Sequence, residues 1–397
     1  MPDKIPEPAR EPDVRPGDQS TTRKEYSVTN FDLREVERAR ILKKAEEYRS
    51  EAPRTVTADI CKRSKGGPHD YYSEGDYWWP DPGNPSGPYV KRDGETNPDI
   101  FLAHRELMVR LSEIIGTLTS AYLIAKDEKY AAQAARHLRA WFVAEKTRMN
   151  PNLLFGQAVK GRYSGRGIGI IDTIHLAEVA RGAKLLCGSS SFAPKDQASV
   201  KAWFREYLTW INTHSYGKSE KVYPNNHSVC WSLQAAAFAD LVGDSEQLEW
   251  IRNQFKTVYL EKMMASDGGF PAELNRTKPY SYSLFVIDAM AGVAQIASTA
   301  EDDLWTFQLP DGRGMKKGME FIVPYIIDKK SWPRKPDIMY WDEWPVRHPS
   351  LLFAGVKFRN ADYLDVWKKL EPDPTTFEVL RTLPLRHPLL WVTDRKE

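Results

Sequence analysis

Apolar residues recur at helical spacing along most of this 397-residue chain, and that period limits its fold more than any other feature. The stretch 32–49 carries Leu33, Val36, Ile41, Leu42 and Ala45 on one stripe. The stretch 103–125 does the same through Leu107, Leu111, Ile114, Ile115, Leu118, Tyr122 and Leu123. Similar patterns cover 130–144, 171–187, 196–213, 227–242, 246–264, 281–299 and 312–326. Few segments alternate strictly, as a half-buried strand would. The reading is all-α, with about ten helices, roughly fifty residues per helical pair, joined by short Gly- or Pro-marked turns as antiparallel hairpins. No repeated motif supports a regular solenoid. A toroid of helical hairpins closing around a cleft fits the pattern.

Two long segments break the helical period. The first, 61–97, is too dense in Gly and Pro to be a helix, yet it holds Tyr71, Tyr72, Tyr77, Trp78, Trp79 and Tyr89. A disordered linker is poor in aromatics, so this reads as an ordered loop forming a cleft wall or lid. The second, 149–169, holds Arg162 and Arg166 among five glycines. It lacks the strand–GxGxxG–helix context of a dinucleotide site. Its arginines read as carboxylate binders or as a solvated loop.

The first 25 residues carry five prolines, many charges and no apolar core, so they read as a disordered lead-in rather than a signal peptide. Residues 26–397 read as one catalytic domain. The chain then either stays in the cell or is secreted or periplasmic with its signal removed. A net charge of +2 gives no global attraction to nucleic acid or membrane, so neither is an expected partner. A polyanionic ligand would need a local cluster of Arg and Lys. The 13 tryptophans serve the core or form platforms for sugar rings. Cys61, Cys187 and Cys230 are far apart and odd in number, which argues against a disulfide framework or a CxxC metal site.

Two segments gather groups able to do chemistry together. Residues 223–231, YPNNHSVCW, put Asn225, Asn226 and His227 at the start of a helical stretch. Either asparagine can cap that helix, and a helix N-terminus favours an anion. Residues 266–285 carry Glu273, Arg276, Lys278, Tyr280 and Tyr282 around Pro279. A guanidinium near a phenol favours the phenolate. Glu273 pairs with Arg276 or Lys278, or supports the site from behind. Such a set suits removal of the weakly acidic C5 proton of a uronate. The carboxylate must be neutralised by amide, guanidinium or imidazolium, a base must reach C5, and an acid must protonate the leaving O4. No metal or cofactor is required. No HExxH or GxSxG occurs. A hydrolase with paired carboxylates stays open, with Asp70, Glu74, Asp76, Asp172 and Glu273 as its candidates. Asn226 and Asn275 both head N-glycosylation sequons, and neither is expected to be modified, since a glycan on Asn226 would obstruct this site.

The stretch GGPHDYYSEGDYWWPDPGNPSGPYVKRDGETNPD resembles the N-terminal loop of the alginate-lyase superfamily. The segments MNPNL, GRGIGIIDT, NNHSVCW and DGGFPAELNRTKPYSYSLF match it in the same order. The resemblance covers about residues 60–300, and polysaccharide lyases of families five and thirty-eight are its nearest type. It implies an incomplete (α/α) barrel with the aromatic loop as a lid, and metal-independent cleavage of a polyuronate. It places the catalytic Asn-His pair on Asn226 and His227, the arginine on Arg276 and the catalytic tyrosine on Tyr282. Tyr71, Tyr72, Tyr77, Trp78, Trp79 and Gln157 become subsite candidates, with Arg162, Arg166, Asn225, Lys278 and Tyr280 as further substrate-binding residues. Phe155 departs from the family's usual aromatic hydroxyl, and the segment after Glu301 matches less clearly. The implied substrate is alginate, mannuronate blocks first, with glucuronan as the alternative. In the implied mechanism Tyr282 removes the C5 proton and returns it to O4. For the opposite C5–H face, His227 is the base and Tyr282 the acid. A glycoside hydrolase on the same toroid and a non-catalytic polysaccharide-binding protein are the competing readings. A monomer is expected.

Overall fold

The structure is a computed structural model that describes residues 31–392. Its helices are α1 (Leu33–Tyr48), α2 (Ala103–Ala125), α3 (Glu128–Phe142), α4 (Leu176–Leu185), α5 (Pro194–Thr213), α6 (Ser215–Lys221) and α7 (Asn226–Val242). They continue as α8 (Ser245–Gln254), α9 (Pro271–Leu274), α10 (Pro279–Ala297), α11 (Met315–Ile327), α12 (Pro349–Lys357), α13 (Ala361–Lys369) and α14 (Phe377–Thr382). Short side chains that accept backbone N–H groups start several of them. Asp32 caps α1, Asp127 caps α3 and Asn225 caps α7.

The helices form two layers of an α/α barrel. In the inner layer α2, α4, α7, α10 and α12 pack in that order. α10 is buried along almost its whole length, as is α7, whose Leu233–Ala239 run is buried at every position. Small residues in that run let neighbouring backbones approach closely. α1, α3, α5, α8, α11 and α13 pack outside, with polar faces outward. α2 is long and apolar enough to cross a membrane, but most of it is buried against other helices here. The C-terminal segment turns at Pro388–Leu390 against α2 and α4, and Trp391 reaches Phe353 on α12. One hydrophobic cluster runs from Leu33 to Trp391. Nothing in it separates a second unit within the described residues. The lead-in expected over 1–25 lies outside those residues.

Helix boundaries follow the sequence pattern closely for α1, α2, α5, α7 and α10. The 171–187 pattern is divided into a 3-10 segment, Gly167–Thr173, and α4. The 246–264 pattern is divided into α8 and a π-helical segment, Phe255–Met263. The helices α6, α12, α13 and α14 are too short for a period to announce them. All three cysteines are free.

The aromatic segment is ordered by two small sheets. β1 (Tyr72–Glu74) pairs in parallel with β4 (Phe155–Ala158), which ties it to the glycine-rich segment. β2 (Trp78–Trp79) pairs antiparallel with β3 (Val90–Lys91). A satellite cluster of Cys61, Tyr72 and Ala158, packed by Phe101 and Phe155, lies beneath them.

Candidate active site

One cleft of about 360 Å³ is lined by the start of α7, the α9–α10 connection, the aromatic segment, the glycine-rich segment and α14. Its chemistry begins at the α7 N-terminus. Asn225 caps the helix by accepting from His227 N at 3.1 Å, which sets Asn226 and His227 in the first turn. Asn226 is buried, and both its backbone N and its Nδ2 donate to Glu273 at 2.7 Å. The second amide hydrogen is free to serve the cleft. Burial pushes the Glu273 carboxyl up, while the two Asn226 bonds oppose that shift. Glu273 therefore supports Asn226; neither Arg276 nor Lys278 forms an ion pair with it.

His227 is held in a similar way. Its Nδ1 lies 2.6 Å from an oxygen of Glu220, a buried residue near the end of α6. A ring nitrogen that donates to a carboxylate leaves the other, Nε2, as the one available to a ligand. Tyr223, partly exposed, stands with its ring 5.2 Å from the imidazole.

Arg276 and Tyr282 are brought together by a turn that Pro279 ends, because its ring fixes the first residue of α10. The Arg276 guanidinium lies over the Tyr282 ring, 4.5 Å from its centroid. Asp93, from the aromatic segment, grips that guanidinium at 3.2 and 3.0 Å. Thr277 and Lys91 also contact Asp93 at 3.1 Å each. Burial works against the Asp93 charge, yet Arg276 and then Lys91 overcome it and hold the carboxyl at about 2. Burial likewise opposes the Arg276 charge, and Tyr282 and Asp93 more than restore it.

The Tyr282 hydroxyl meets that of Tyr77 at 2.7 Å. Arg381 on α14 donates to the Tyr77 oxygen at 3.2 Å and pairs with Glu378 at 2.5 Å. Burial and the neighbouring Tyr77 push the Tyr282 phenol well above its usual range, and Arg276 opposes them. The sequence expectation that Arg276 favours the phenolate has the right sign, but burial exceeds it.

The facing wall carries Gln157, whose backbone is left-handed at φ 50°. Its side chain donates to Asp172 at 2.9 Å and accepts from Arg166 at 2.9 Å. The guanidiniums of Arg162 and Arg166 both lie over the Trp78 ring, 5.4 and 5.6 Å from its centroid. The cleft is lined by the cations Lys91, Arg166, Arg276 and Arg381 against the anions Asp76 and Asp93. This is the local positive cluster that a near-neutral chain needs to hold a polyanion.

Nine of the candidate residues line the cleft: Tyr77, Trp78, Gln157, Arg166, Asn225, Asn226, His227, Arg276 and Tyr282. Six do not, and each corrects an expectation. Tyr71 is a core residue whose hydroxyl points to Asp172. Tyr72 packs in the satellite cluster, with its hydroxyl on Glu74. Trp79 donates to Glu95 O, with Arg92 against its ring. Arg162 donates to Tyr89 O and touches the cleft only through Trp78. Lys278 is buried in an ion pair with Glu378. Tyr280 is buried against Trp332 and Trp341. The pleat and the helical turn send these neighbours away from the residues that face the cleft.

The carboxylates suggested for a hydrolase are all engaged. Asp76 and Asp172 are buried against Arg105, Glu74 binds Arg63, Asp70 binds Asn150, and Glu273 binds Asn226. Asp93, Glu220, Tyr223 and Arg381 were not among the sequence candidates. For Arg381 the signal was slight: a Glu378–Arg381 pair at i,i+3 reads as an ordinary surface pair.

The profile of the family described as alginate lyase matches residues 55–332. The crystal structure of an alginate lyase from Bacteroides ovatus is 30% identical to this chain, covers 88% of it and 93% of itself, and superposes with a TM-score of 0.78. Alginate lyase A1-III from Sphingomonas species A1 is 15% identical, with 89% of this chain and 94% of that one covered and a TM-score of 0.54. A histidine-to-alanine variant of A1-III, complexed with a tetrasaccharide, gives 0.57 at 15% identity, over 89% of this chain and 94% of that one. At that identity the likeness is one of fold. No curated protein matches the chain.

Proposed function

The chain belongs to the alginate lyase family and is a polysaccharide lyase, and on that premise we propose that it cleaves alginate, mannuronate blocks first, by metal-independent β-elimination. The observation that carries this is the meeting of Asn226, His227, Arg276 and Tyr282 in one cationic cleft. An A1-III variant of the same fold is complexed with a tetrasaccharide, which supports a saccharide as the ligand.

In this mechanism the uronate carboxylate at the +1 sugar is received by the free Asn226 amide hydrogen and by Arg276, with His227 beside them. Neutralising it makes the C5 proton acidic enough to remove. Tyr282, once ionised, takes that proton and returns it to the departing O4. The C4–O4 bond breaks as the C4–C5 double bond forms, and the product carries a 4,5-unsaturated uronate. Burial makes the phenolate scarce but strongly basic, which suits a carbon acid.

One observation favours a second assignment for a sugar with the opposite C5–H face. Burial raises the Tyr282 phenol and so favours its protonated form, and Glu220 leaves His227 Nε2 available. His227 is then the base and Tyr282 the acid. Residues 26–397 act as one domain and as a monomer in this proposal, since one chain supplies the whole cleft. The test is a panel of polymannuronate, polyguluronate and polyglucuronate, followed by ultraviolet absorbance and product length. Fastest absorbance growth on polymannuronate is expected. Saturated products without new absorbance would show a hydrolase instead.

A further inference from the structure

Away from the cleft, three guanidiniums meet where the two ends of the described chain come together. Arg40 on α1, Arg347 just before α12 and Arg386 in the C-terminal segment line one cavity of about 20 Å³. The rest of its wall is the buried carboxylate of Glu37 and apolar residues, Leu352, Trp367 and Leu383 among them. The outer nitrogens of all three arginines are engaged. Arg40 reaches Asp373 at 2.8 Å as well as Glu37. Arg347 reaches Glu37 at 2.8 Å and Lys368 O at 3.0 Å. Arg386 reaches Val109 O at 3.0 Å.

Each of the three also has a buried Nε–H with no acceptor among the described residues. They are the arginine Nε atoms so placed among those residues, and all three belong to this one cavity. Arg386 is the most enclosed, its side chain only 8% exposed. A buried donor on a charged group is costly to leave unpaired.

A cavity of this size admits one water molecule or one monoatomic ion. Water accepts two hydrogen bonds, so it leaves one of three donors unmet. It also needs acceptors for its own hydrogens, and Glu37 is already engaged by Arg40 and Arg347. An anion accepts from all three. Charge points the same way. The linked ion pairs join Arg40, Lys44, Arg110, Arg347 and Arg386 to Glu37, Glu51, Glu113 and Asp373, five cations to four anions. Burial pushes the Arg347 guanidinium below its usual range, and the charge of Arg40 adds to that despite Glu37.

We propose that this cavity is a halide site, in which one chloride ion accepts from Nε of Arg40, Arg347 and Arg386 and fastens α1 to the C-terminal segment. The site is independent of the cleft and of its substrate. Two measurements on the full chain test it. Crystals grown without chloride and soaked in sodium bromide should show an anomalous peak in the cavity, among the three Nε atoms. Thermal unfolding in sodium chloride should lie a few degrees above that in sodium gluconate at equal ionic strength, and the difference should saturate with chloride. Arg386→Lys keeps the charge but lacks Nε–H, and it should erase that difference. No bromide peak, a water in its place, equal melting in the two salts, or a difference that survives Arg386→Lys would each overturn the proposal. A peak without a melting shift would mean an adventitious ion only, and would overturn it too. Should Arg386→Lys fail to fold, the bromide peak and the salt comparison on the native chain decide.

Discussion

The Tyr282 hydroxyl lies 2.7 Å from that of Tyr77, and Arg381 donates to the same Tyr77 oxygen at 3.2 Å. Arg276 meanwhile lies against the Tyr282 ring. Two cations thus act on one buried phenol, one directly and one through a second phenol. When Tyr282 ionises, the Tyr77 hydroxyl is placed to donate to it.

Removing the Tyr282 hydroxyl should therefore stop the reaction while leaving the polymer bound. Tyr282→Phe is expected to lower kcat on the order of 10²- to 10⁴-fold, the usual contribution of a positioned acid or base. Tyr77→Phe should have a smaller effect, because Arg276 remains. Initial rates from product absorbance check both. Near-normal turnover in Tyr282→Phe would rule out the assignment.

The pH profile separates the effect of Arg276 on the phenol from its effect on binding. Burial pushes the Tyr282 phenol up, and Arg276 opposes that. With Tyr282 as the base, Arg276→Gln should move the rising limb of kcat to higher pH as well as raise KM. A rise in KM with an unmoved limb would confine Arg276 to carboxylate binding.

The positions of Asn226 and His227 at a helix start, and of Arg276 and Tyr282 on either side of Pro279, were legible because caps and prolines are local signals. The inner helices α2, α7 and α10 were legible because their burial writes an apolar pattern over 23, 17 and 19 residues. The supports were not. Glu220, Asp93 and Arg381 come from separate parts of the chain and meet the site only through the fold. Among the aromatics of 61–97, composition alone did not separate buried Tyr71 and Tyr72 from cleft-facing Tyr77 and Trp78. That division depends on how β1 and β2 pair, and two- and three-residue strands leave no readable alternation.

The buried tyrosines also predict where the fold fails at high pH. Burial pushes Tyr71, Tyr207, Tyr259 and Tyr282 above the usual range. The folded chain keeps these protons while the unfolded chain loses them near pH 10. Stability from these groups is thus whole below pH 10 and falls as pH rises beyond it. The slope approaches about 1.4 kcal/mol per pH unit for each tyrosine. Burial raises the buried Tyr48, Tyr72, Tyr130 and Tyr280 as well, and with eight such groups and an ordinary stability, cooperative unfolding is expected between about pH 10.5 and 11.5. Circular dichroism against pH, with phenolate absorbance in parallel, checks it. Phenolate appearing well before unfolding would contradict it.

Glu220 offers a test in which activity and stability should move in opposite directions. One oxygen of this buried carboxylate meets His227 Nδ1, and the other is buried with no partner among the described residues. A buried charge left half satisfied is a strain on folding. Glu220→Gln removes the charge at nearly constant shape, and a neutral unpaired atom costs less than a charged one. Its melting temperature should hold or rise. The same change replaces an acceptor-only carboxylate with an amide that can accept or donate, so it no longer fixes which imidazole nitrogen faces the cleft. As base or as neutraliser, His227 acts through Nε2, so kcat should fall on the order of 10²-fold while KM changes less. Glu220→Asp, with a shorter reach but the same charge, should recover part of the rate. A variant both less stable and fully active would mean that Glu220 serves the fold alone.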